Sequence, residues 1–219
     1  MRVRLRRDVR ASLPMNPPLS GIHPLVKRVA EHLLEPFLSM GFDVTRLIGF
    51  LTEVPRKWNR PFDRLDLHGV GAEIGVYRGM HAKHMLRLHP DISTLWLVDA
   101  YQPYSVEGGL CPDLSGAREV AHRVMQKHRK RIRWLQVGSP DCARMLPDLD
   151  FCYIDADHSY KSMAMDLEAM WPKVKSGGIF GGHDFVYTFP GLNRAVVEFV
   201  VRHNVDLKVD SPDWWVIKS

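Results

Sequence analysis

The chain has 219 residues, of which 45% are hydrophobic, and its formal net charge is +5 at pH 7. This length suffices for one sizeable hydrophobic core, and because no apolar run reaches the roughly 18 residues of a membrane span, we expect one soluble domain with an N-terminal extension and no membrane contact. The three cysteines are odd in number and have no CxxC spacing, which argues against a disulfide framework or a zinc knuckle and fits a reducing compartment.

Most of the net charge lies in residues 1–10, which contain five arginines and one aspartate. The rest of the chain is nearly neutral, so we expect a solvated tail and not a nucleic-acid partner. The basic start runs into Pro14, Pro17 and Pro18 instead of an apolar segment, which is not the pattern of a secretory signal. Together with the cysteine pattern, this predicts a cytoplasmic protein.

Residues 1–65 are predicted to form the basic tail and a helical extension. Apolar residues recur at helical intervals between Leu25 and Phe37, and Gly41 suits the end of that helix. A second apolar segment, 44–51, precedes a polar, proline-containing connection. We expect these helices to cover one edge of the following domain, where they would also offer a surface for a homodimer.

Residues 66–219 are predicted to form an α/β domain, because strand-like and helix-like stretches alternate from Gly69 onward. The last two strands, VDLKV and WWVIKS, have no helix between them and predict an antiparallel hairpin. The expected fold is a Rossmann-like, seven-stranded, mostly parallel sheet with helices on both faces. Before the hairpin, strands are expected at 70–75, 94–99, 132–137, 150–155 and 178–182, and helices at 80–88, 116–130, 140–146, 160–172 and 190–203.

The first strand runs into a glycine turn at Gly75 and Gly79, and such a turn before a helix brings backbone N–H groups close to a ligand. Glu73 in the same stretch would repel a pyrophosphate but suits an ammonium group, which disfavours a nicotinamide cofactor. Asp99 ends the second strand, where an acidic residue commonly accepts hydrogen bonds from a ribose diol. This pattern predicts a nucleoside-type ligand.

Two polar clusters follow later strands. The first is Asp155-Ala-Asp157-His158 and the second is His183-Asp184. Because the carboxyl ends of neighbouring parallel strands face one crevice, we expect both clusters to converge beside the nucleoside site.

The order and spacing of five stretches resemble class I S-adenosylmethionine-dependent methyltransferases. More closely, they resemble the metal-dependent O-methyltransferases of the catechol and caffeoyl-coenzyme A type and the macrocin O-methyltransferase-like group. The stretches are GAEIGVYRG, LWLVDAY, WLQVGSPDCARML, FCYIDADHSY and SGGIFGGHDF. The likeness extends over residues 69–219.

The resemblance implies roles for individual residues. It makes Asp155 and Asp184 metal ligands and places His158 where a catalytic base is found. It implies S-adenosylmethionine contacts at Glu73, Gly75, Tyr77, Gly79, His81, Asp99, Gly138, Ser139 and Asp157.

One position departs from the catechol pattern, in which the second cluster reads Asp-Asn. Here Phe185 follows Asp184, and phenylalanine cannot ligate a metal. The metal must lose a protein ligand, recruit His183 or Asp157, or be absent. A histidine ligand would favour Mn, Fe or Zn over Mg. Alternatively, His183 packs at the strand end or assists with the substrate.

The resemblance implies transfer of a methyl group from S-adenosylmethionine to a hydroxyl of a small acceptor, such as a sugar, a phenol or a natural product. A divalent metal, Mg²⁺ in the first instance, and His158 as general base would assist the reaction. Four aromatic residues either line the acceptor pocket or belong to the core: Tyr101, Tyr104, Tyr160 and Phe185. Two other classes stay open, a metal-dependent hydrolase or oxygenase that uses the Asp/His cluster, and a nucleic-acid-binding protein that uses the basic tail.

Overall fold

The computed structural model describes residues 60–103, 113–139 and 141–219. The two helices expected before residue 52 and the aromatic residue Tyr104 lie outside the described residues. Within the part of the chain that the structure describes, no helix is long and apolar enough to cross a membrane.

The core of the fold is a seven-stranded sheet in the order β3-β2-β1-β4-β5-β7-β6. Neighbours among the first five strands pair in parallel, whereas β7 pairs antiparallel with both β5 and β6. The predicted parallel sheet with a C-terminal hairpin is therefore confirmed. The strands are β1 Gly69–Ile74, β2 Ile92–Val98, β3 Ile132–Leu135, β4 Leu149–Ile154, β5 Val174–Gly182, β6 Lys208–Asp210 and β7 Asp213–Ile217.

Among the described residues, four α-helices connect these strands: α1 Met80–Leu88, α2 Ala117–Met125, α3 Tyr160–Met170 and α4 Pro190–His203. The Ser159 hydroxyl accepts a hydrogen bond from the Ser162 N–H and so caps the start of α3. Proline suits the first position of α4, and Asn204 ends that helix in the left-handed conformation with φ 52°. These local signals explain why the predicted starts of α3 and α4 agree with the structure.

Short 3₁₀ turns account for most differences from the predicted helices. The helix expected at 116–130 ends as α2 at Met125 and continues as the turn Gln126–His128. The helix expected at 140–146 is only the turn Asp141–Arg144 among the described residues. Further 3₁₀ turns are Pro61–Arg64 and Trp171–Lys173.

Strand β5 is longer than the predicted 178–182, because it begins at Val174 and includes the Ser-Gly-Gly sequence at 176–178. The register between β4 and β5 shifts after Leu149, and Gly177 has a φ of +79°. A Cβ on Gly178 would lie 2.9 Å from the Asp150 carbonyl oxygen, so glycine permits a close approach of the two chains. The bulge lets the strand continue past this irregularity.

Two apolar clusters cover the two faces of the sheet. One contains Met163 and Leu167 of α3 with Val196 and Phe199 of α4. The other contains Met85 of α1, Met125 of α2 and side chains from the segment before β1. Full burial of each large apolar side chain stabilises the fold by roughly 1.5–3 kcal/mol, so both layers hold the sheet in place. The carboxyl ends of the parallel strands are left to form the site.

Candidate active site

A cavity of about 310 Å³ opens at the carboxyl ends of β1, β2 and β4. This is the size of a small-ligand pocket and the place where open α/β sheets bind ligands. Six of the nine predicted cofactor residues belong to its wall: Gly75, Tyr77, Asp99, Gly138, Ser139 and Asp157. The three others, Glu73, Gly79 and His81, lie outside the wall that the described residues form.

Asp99 organises the mouth of this cavity. Its Oδ2 accepts hydrogen bonds from the backbone N–H groups of Val76 and Tyr77, at 2.9 and 2.7 Å, and its Oδ1 accepts one from Tyr101 at 2.7 Å. Tyr77 and Tyr101 both have positive φ, a strained conformation that these bonds offset. A carboxylate offers about four acceptor positions, so Asp99 keeps capacity for a ligand hydroxyl.

Gly75 joins the cavity to the first polar cluster. Its φ is +89°, and a Cβ there would lie 2.0 Å from the Asp155 carbonyl oxygen. Only glycine allows the end of β1 to pass this close to the end of β4. This glycine therefore lets the predicted nucleoside site lie beside the first polar cluster.

Glu73 and His81 form a buried polar triad with Asp63. The His81 Nδ1 lies 3.0 Å from Oε1 of Glu73, and its Nε2 lies 3.1 Å from Oδ1 of Asp63. Burial alone would lower the pKa of His81, but the Glu73 charge and the contacts with both carboxylates raise this pKa to about 9. Burial raises the pKa of Glu73 despite the imidazole beside it. Sequence reasoning missed Asp63, which lies in a stretch read as a loop.

Asp155, His158, His183 and Asp184 form what we call the edge cluster. The His158 Nε2 lies 3.0 Å from Oδ2 of Asp184 and 3.9 Å from Oδ1 of Asp155. The His183 Nδ1 lies 3.0 Å from Oδ1 of Asp184 and 3.9 Å from Oδ1 of Asp155. The structure thus brings together all four residues expected to serve metal binding and base catalysis.

Backbone pairing and packing position this cluster. The His183 N–H donates to the Ile154 carbonyl, which continues the β4–β5 pairing and places His183 beside Asp155. Asp184 has a φ of +61°, a conformation that non-glycine residues adopt at a cost and that is common at functional sites. The His158 ring packs on Phe189, with ring centroids 4.4 Å apart.

The edge cluster is electrostatically coupled. Burial would lower the pKa of His158, but Asp155 and Asp184 raise this pKa to about 9. Burial would raise the carboxylate pKa values, yet the contacts with His158 and His183 together outweigh it and lower the pKa of Asp184 to about 2. Asp155 shifts in the same direction because His158 and Arg60 lie beside it. Without a cation, the cluster is a network of ion pairs.

The donor atoms of this cluster fit a divalent cation. Ligand atoms of Asp155, His158 and Asp184 lie within 4.8 Å of one another, and all three side chains are partly accessible. Carboxylate oxygens suit Mg²⁺, and an added imidazole nitrogen suits Mn, Fe or Zn. The Asp157 carboxylate instead accepts hydrogen bonds from Ser159 and Ser162 at the start of α3.

Arg60 is a second residue that sequence reasoning missed. Its Nη1 donates to the Tyr153 hydroxyl at 2.7 Å and to Oδ2 of Asp155 at 2.9 Å. The Tyr153 hydroxyl donates in turn to Asp213, which also accepts from the Phe62 N–H. These contacts join residues far apart in the chain, so no local pattern could have indicated them.

Two of the aromatic residues considered for the acceptor pocket belong to the core side. Phe185 and Tyr160 pack against the cluster of α3 and α4, and the Tyr160 hydroxyl donates to Glu198 at 2.6 Å. Tyr101 is not part of the cavity wall that the described residues form, and burial raises the pKa of its hydroxyl.

The strand order, the terminal hairpin and a cavity beside the β1 glycine turn define the class I S-adenosylmethionine-dependent methyltransferases. Residues 72–185 match the family described as "Methyltransferase domain", and the chain belongs to this family. The protein is thus an S-adenosylmethionine-dependent methyltransferase. No curated protein matches the sequence.

Solved structures share the fold at low sequence identity. CalS11, a TDP-rhamnose 3'-O-methyltransferase of calicheamicin biosynthesis, is 17% identical with a TM-score of 0.55, covering 96% of this chain and 99% of its own. A putative caffeoyl-CoA O-methyltransferase from Staphylococcus aureus is 14% identical with a TM-score of 0.57, covering 86% and 98%. The O-methyltransferase NovP is 22% identical with a TM-score of 0.50, covering 69% and 72%.

Proposed function

We propose that the protein transfers the methyl group of S-adenosylmethionine to a hydroxyl oxygen of a small acceptor bound at the edge cluster. One observation carries this proposal: Asp155 belongs both to the cavity wall and to the edge cluster. A donor in the cavity and an acceptor at the cluster would therefore meet at one residue. The names of the structural neighbours support an oxygen acceptor.

The donor is consumed in the reaction and is therefore a substrate. Asp99 and the glycine turn would hold its ribose and methionine parts, and Gly138 and Ser139 lie on the wall where the adenine side is expected. Among the predicted contacts, Glu73 and His81 lie behind the wall, where the triad would fix the negative charge opposite the donor's ammonium group. Gly79 begins α1 with a φ of +73° and shapes the turn.

The edge cluster would prepare the acceptor. Asp155 and Asp184 would hold a divalent cation, with His183 as a further ligand. When bound, such a cation makes a hydroxyl group easier to deprotonate. His158 would accept the hydroxyl proton once a cation held by Asp155 and Asp184 neutralises the charges that raise the pKa of this histidine. Holding the oxygen in line with the sulfonium methyl would supply much of the acceleration.

The proposal is tested by incubating the protein with S-adenosylmethionine and a panel of acceptors, and by measuring S-adenosylhomocysteine formation. The panel contains a nucleotide sugar, a catechol and a glycoside, each with Mg²⁺, Mn²⁺, Zn²⁺ or chelator. We expect turnover of at least one acceptor, lost with chelator and in Asp155→Asn. Full turnover in chelator would contradict the metal role, and methylation confined to nitrogen or carbon would contradict O-transfer.

Three further properties stay predictions of the sequence. They are a cytoplasmic location, a homodimer formed through the N-terminal helices, and the division into an extension at 1–65 and a methyltransferase domain at 66–219. Size-exclusion chromatography with light scattering on the full chain tests the dimer. Family membership removes the support for a hydrolase or an oxygenase.

A further inference from the structure

Asp166, on the buried side of α3, is an unexplained carboxylate in the cavity wall. Its side chain is only 3% exposed, yet it lines the cavity beside Ser139 and Ser162. Its apolar neighbours on α3, Met163 and Leu167, face the core.

The other wall carboxylates have strong donors. Asp99 accepts hydrogen bonds from three backbone N–H groups. Asp155 accepts one from the Arg60 guanidinium, and Asp157 accepts hydrogen bonds from two serines. For Asp166, the nearby Ser139 hydroxyl is the one group among the described residues that favours its charge, and this hydroxyl lacks the geometry of a hydrogen bond to any described residue. Burial and the Asp157 charge oppose ionisation of Asp166. Asp166 is therefore the least compensated carboxylate of the cavity.

Burial of a carboxylate without enough donors costs several kcal/mol, and an apolar residue would pack there at no such cost. Burial accordingly raises the pKa of Asp166 to about 6. A bound ligand with an N–H group directed at Asp166 would supply the hydrogen-bond donor that this carboxylate lacks. The position of Asp166 thus points to a ligand donor.

The surrounding wall indicates which part of the ligand this is. Four apolar residues of the wall belong to or pack against the same apolar cluster as α3: Ile74, Val98, Val137 and Ala156. An apolar wall suits a flat ring, and Asp99 at the mouth suits the attached ribose. The Asp166 carboxylate in the same wall would then face the ring's edge.

We propose that Asp166 accepts a hydrogen bond from the 6-amino group of the donor's adenine and selects adenine over 6-oxo purines. A 6-oxo group would place its oxygen, a hydrogen-bond acceptor, against the buried Asp166 carboxylate, which is also an acceptor. The proposal rests on the donor assignment. Hydrogen bonds to charged groups contribute about 1.5–3 kcal/mol, which corresponds to about a 10- to 100-fold preference.

Titration calorimetry with S-adenosylhomocysteine and S-inosylhomocysteine tests the selection without turnover. We expect wild type to bind the adenosine compound about 10- to 100-fold more tightly. In Asp166→Asn, whose amide can donate to a 6-oxo group, this ratio should fall to near one or invert. Glu168→Gln is the matched control, because Glu168 lies on the same helix but at the surface, paired with Arg202. Its ratio should equal that of wild type.

The two assignments fail differently. If wild type binds neither compound, the donor assignment fails, and this proposal fails with it. If wild type binds both compounds equally, or if Asp166→Asn binds with an unchanged ratio, adenine selection by Asp166 is overturned while donor binding stands. Should Asp166→Asn not fold, equal binding of the two compounds by wild type would still overturn the proposal.

Discussion

Two histidines of this methyltransferase each lie between two carboxylates, but their surroundings differ. His81, 5% exposed, is held by Glu73 and Asp63 in the core. His158, whose side chain is 17% exposed, lies between Asp155 and Asp184 beside the cavity. In both cases the neighbouring carboxylates raise the imidazole pKa to about 9.

The difference shows that access, not composition, distinguishes a positioning network from a reactive one. No other described residue hydrogen bonds Oε2 of Glu73, but neither this atom nor His81 reaches the cavity wall. At the edge cluster, Asp155 forms part of that wall. We therefore expect substitutions at His158 to affect turnover and substitutions at His81 to affect stability.

The largest effect is expected from His158→Gln. Removal of a general base lowers turnover by about 100- to 10,000-fold. Affinity for S-adenosylhomocysteine should stay within about twofold of wild type, because His158 is not in the cavity wall. Steady-state kinetics and calorimetry measure the two quantities. Turnover that survives the substitution would remove His158 from the mechanism.

The matching change in the core is His81→Leu. It leaves two buried carboxylates without their cation, and breaking a buried pair typically costs about 3–5 kcal/mol. Urea unfolding followed by circular dichroism should show this loss. His158→Leu serves as the comparison and should be markedly less destabilising, because its partners are partly solvated. Equal losses in the two variants would abolish the distinction between the clusters.

Asp184→Asn should weaken cation binding and turnover by at least about 10- to 100-fold, since this is the effect of changing even a residue that hydrogen bonds a metal ligand. Titration with Mn²⁺, followed by electron paramagnetic resonance, measures binding apart from turnover. The control is Asp63→Asn, which changes the same atom in the core triad. It should leave Mn²⁺ affinity unchanged, and a comparable loss there would argue that the edge cluster is not the cation site.

The pH dependence of stability should reveal the charge of His81. The folded-state pKa of His81 is about 9, above its ordinary 6.5, so its contribution is fully present below pH 6.5 and disappears as pH rises through 9. The unfolding free energy of wild type should therefore fall over this range in chelator-containing buffer. His81→Gln should reduce the fall, and an unchanged slope would show that His81 is neutral when folded.

The smallest effect is expected from Arg60→Met. The Arg60 guanidinium contacts one oxygen of Asp155 and repels a cation at the edge cluster. Its removal should raise Mn²⁺ affinity by roughly tenfold, given about 1–2 kcal/mol for charges several ångströms apart at an effective dielectric constant near 20. Weaker binding would instead indicate that Arg60 orients Asp155 for ligation.

Local signals in the sequence predicted most of the fold and part of the site. Helix α1 was predicted at its observed bounds, and strand-end residues such as Asp99 and Asp155 lie at the expected edge. Arg60 and Asp63 could not be found, because they reach the site through contacts with residues far away in the chain. Asp166 was hidden in a helix that reads as packing, since its neighbours are methionines and leucine. The local sequence predicts where a residue lies on the sheet, but it does not predict which distant residues neutralise its charge.

The segment Arg60–Asp63 limits how far the chain can be shortened from its N-terminal side without losing contacts at the site. A chain beginning at residue 66 would retain all seven strands and the whole cavity wall. It would nevertheless lose the Asp63 carboxylate opposite His81, the guanidinium on Asp155 and the Phe62 ring on Tyr153. We therefore expect a functional catalytic fragment of this enzyme to start no later than residue 60.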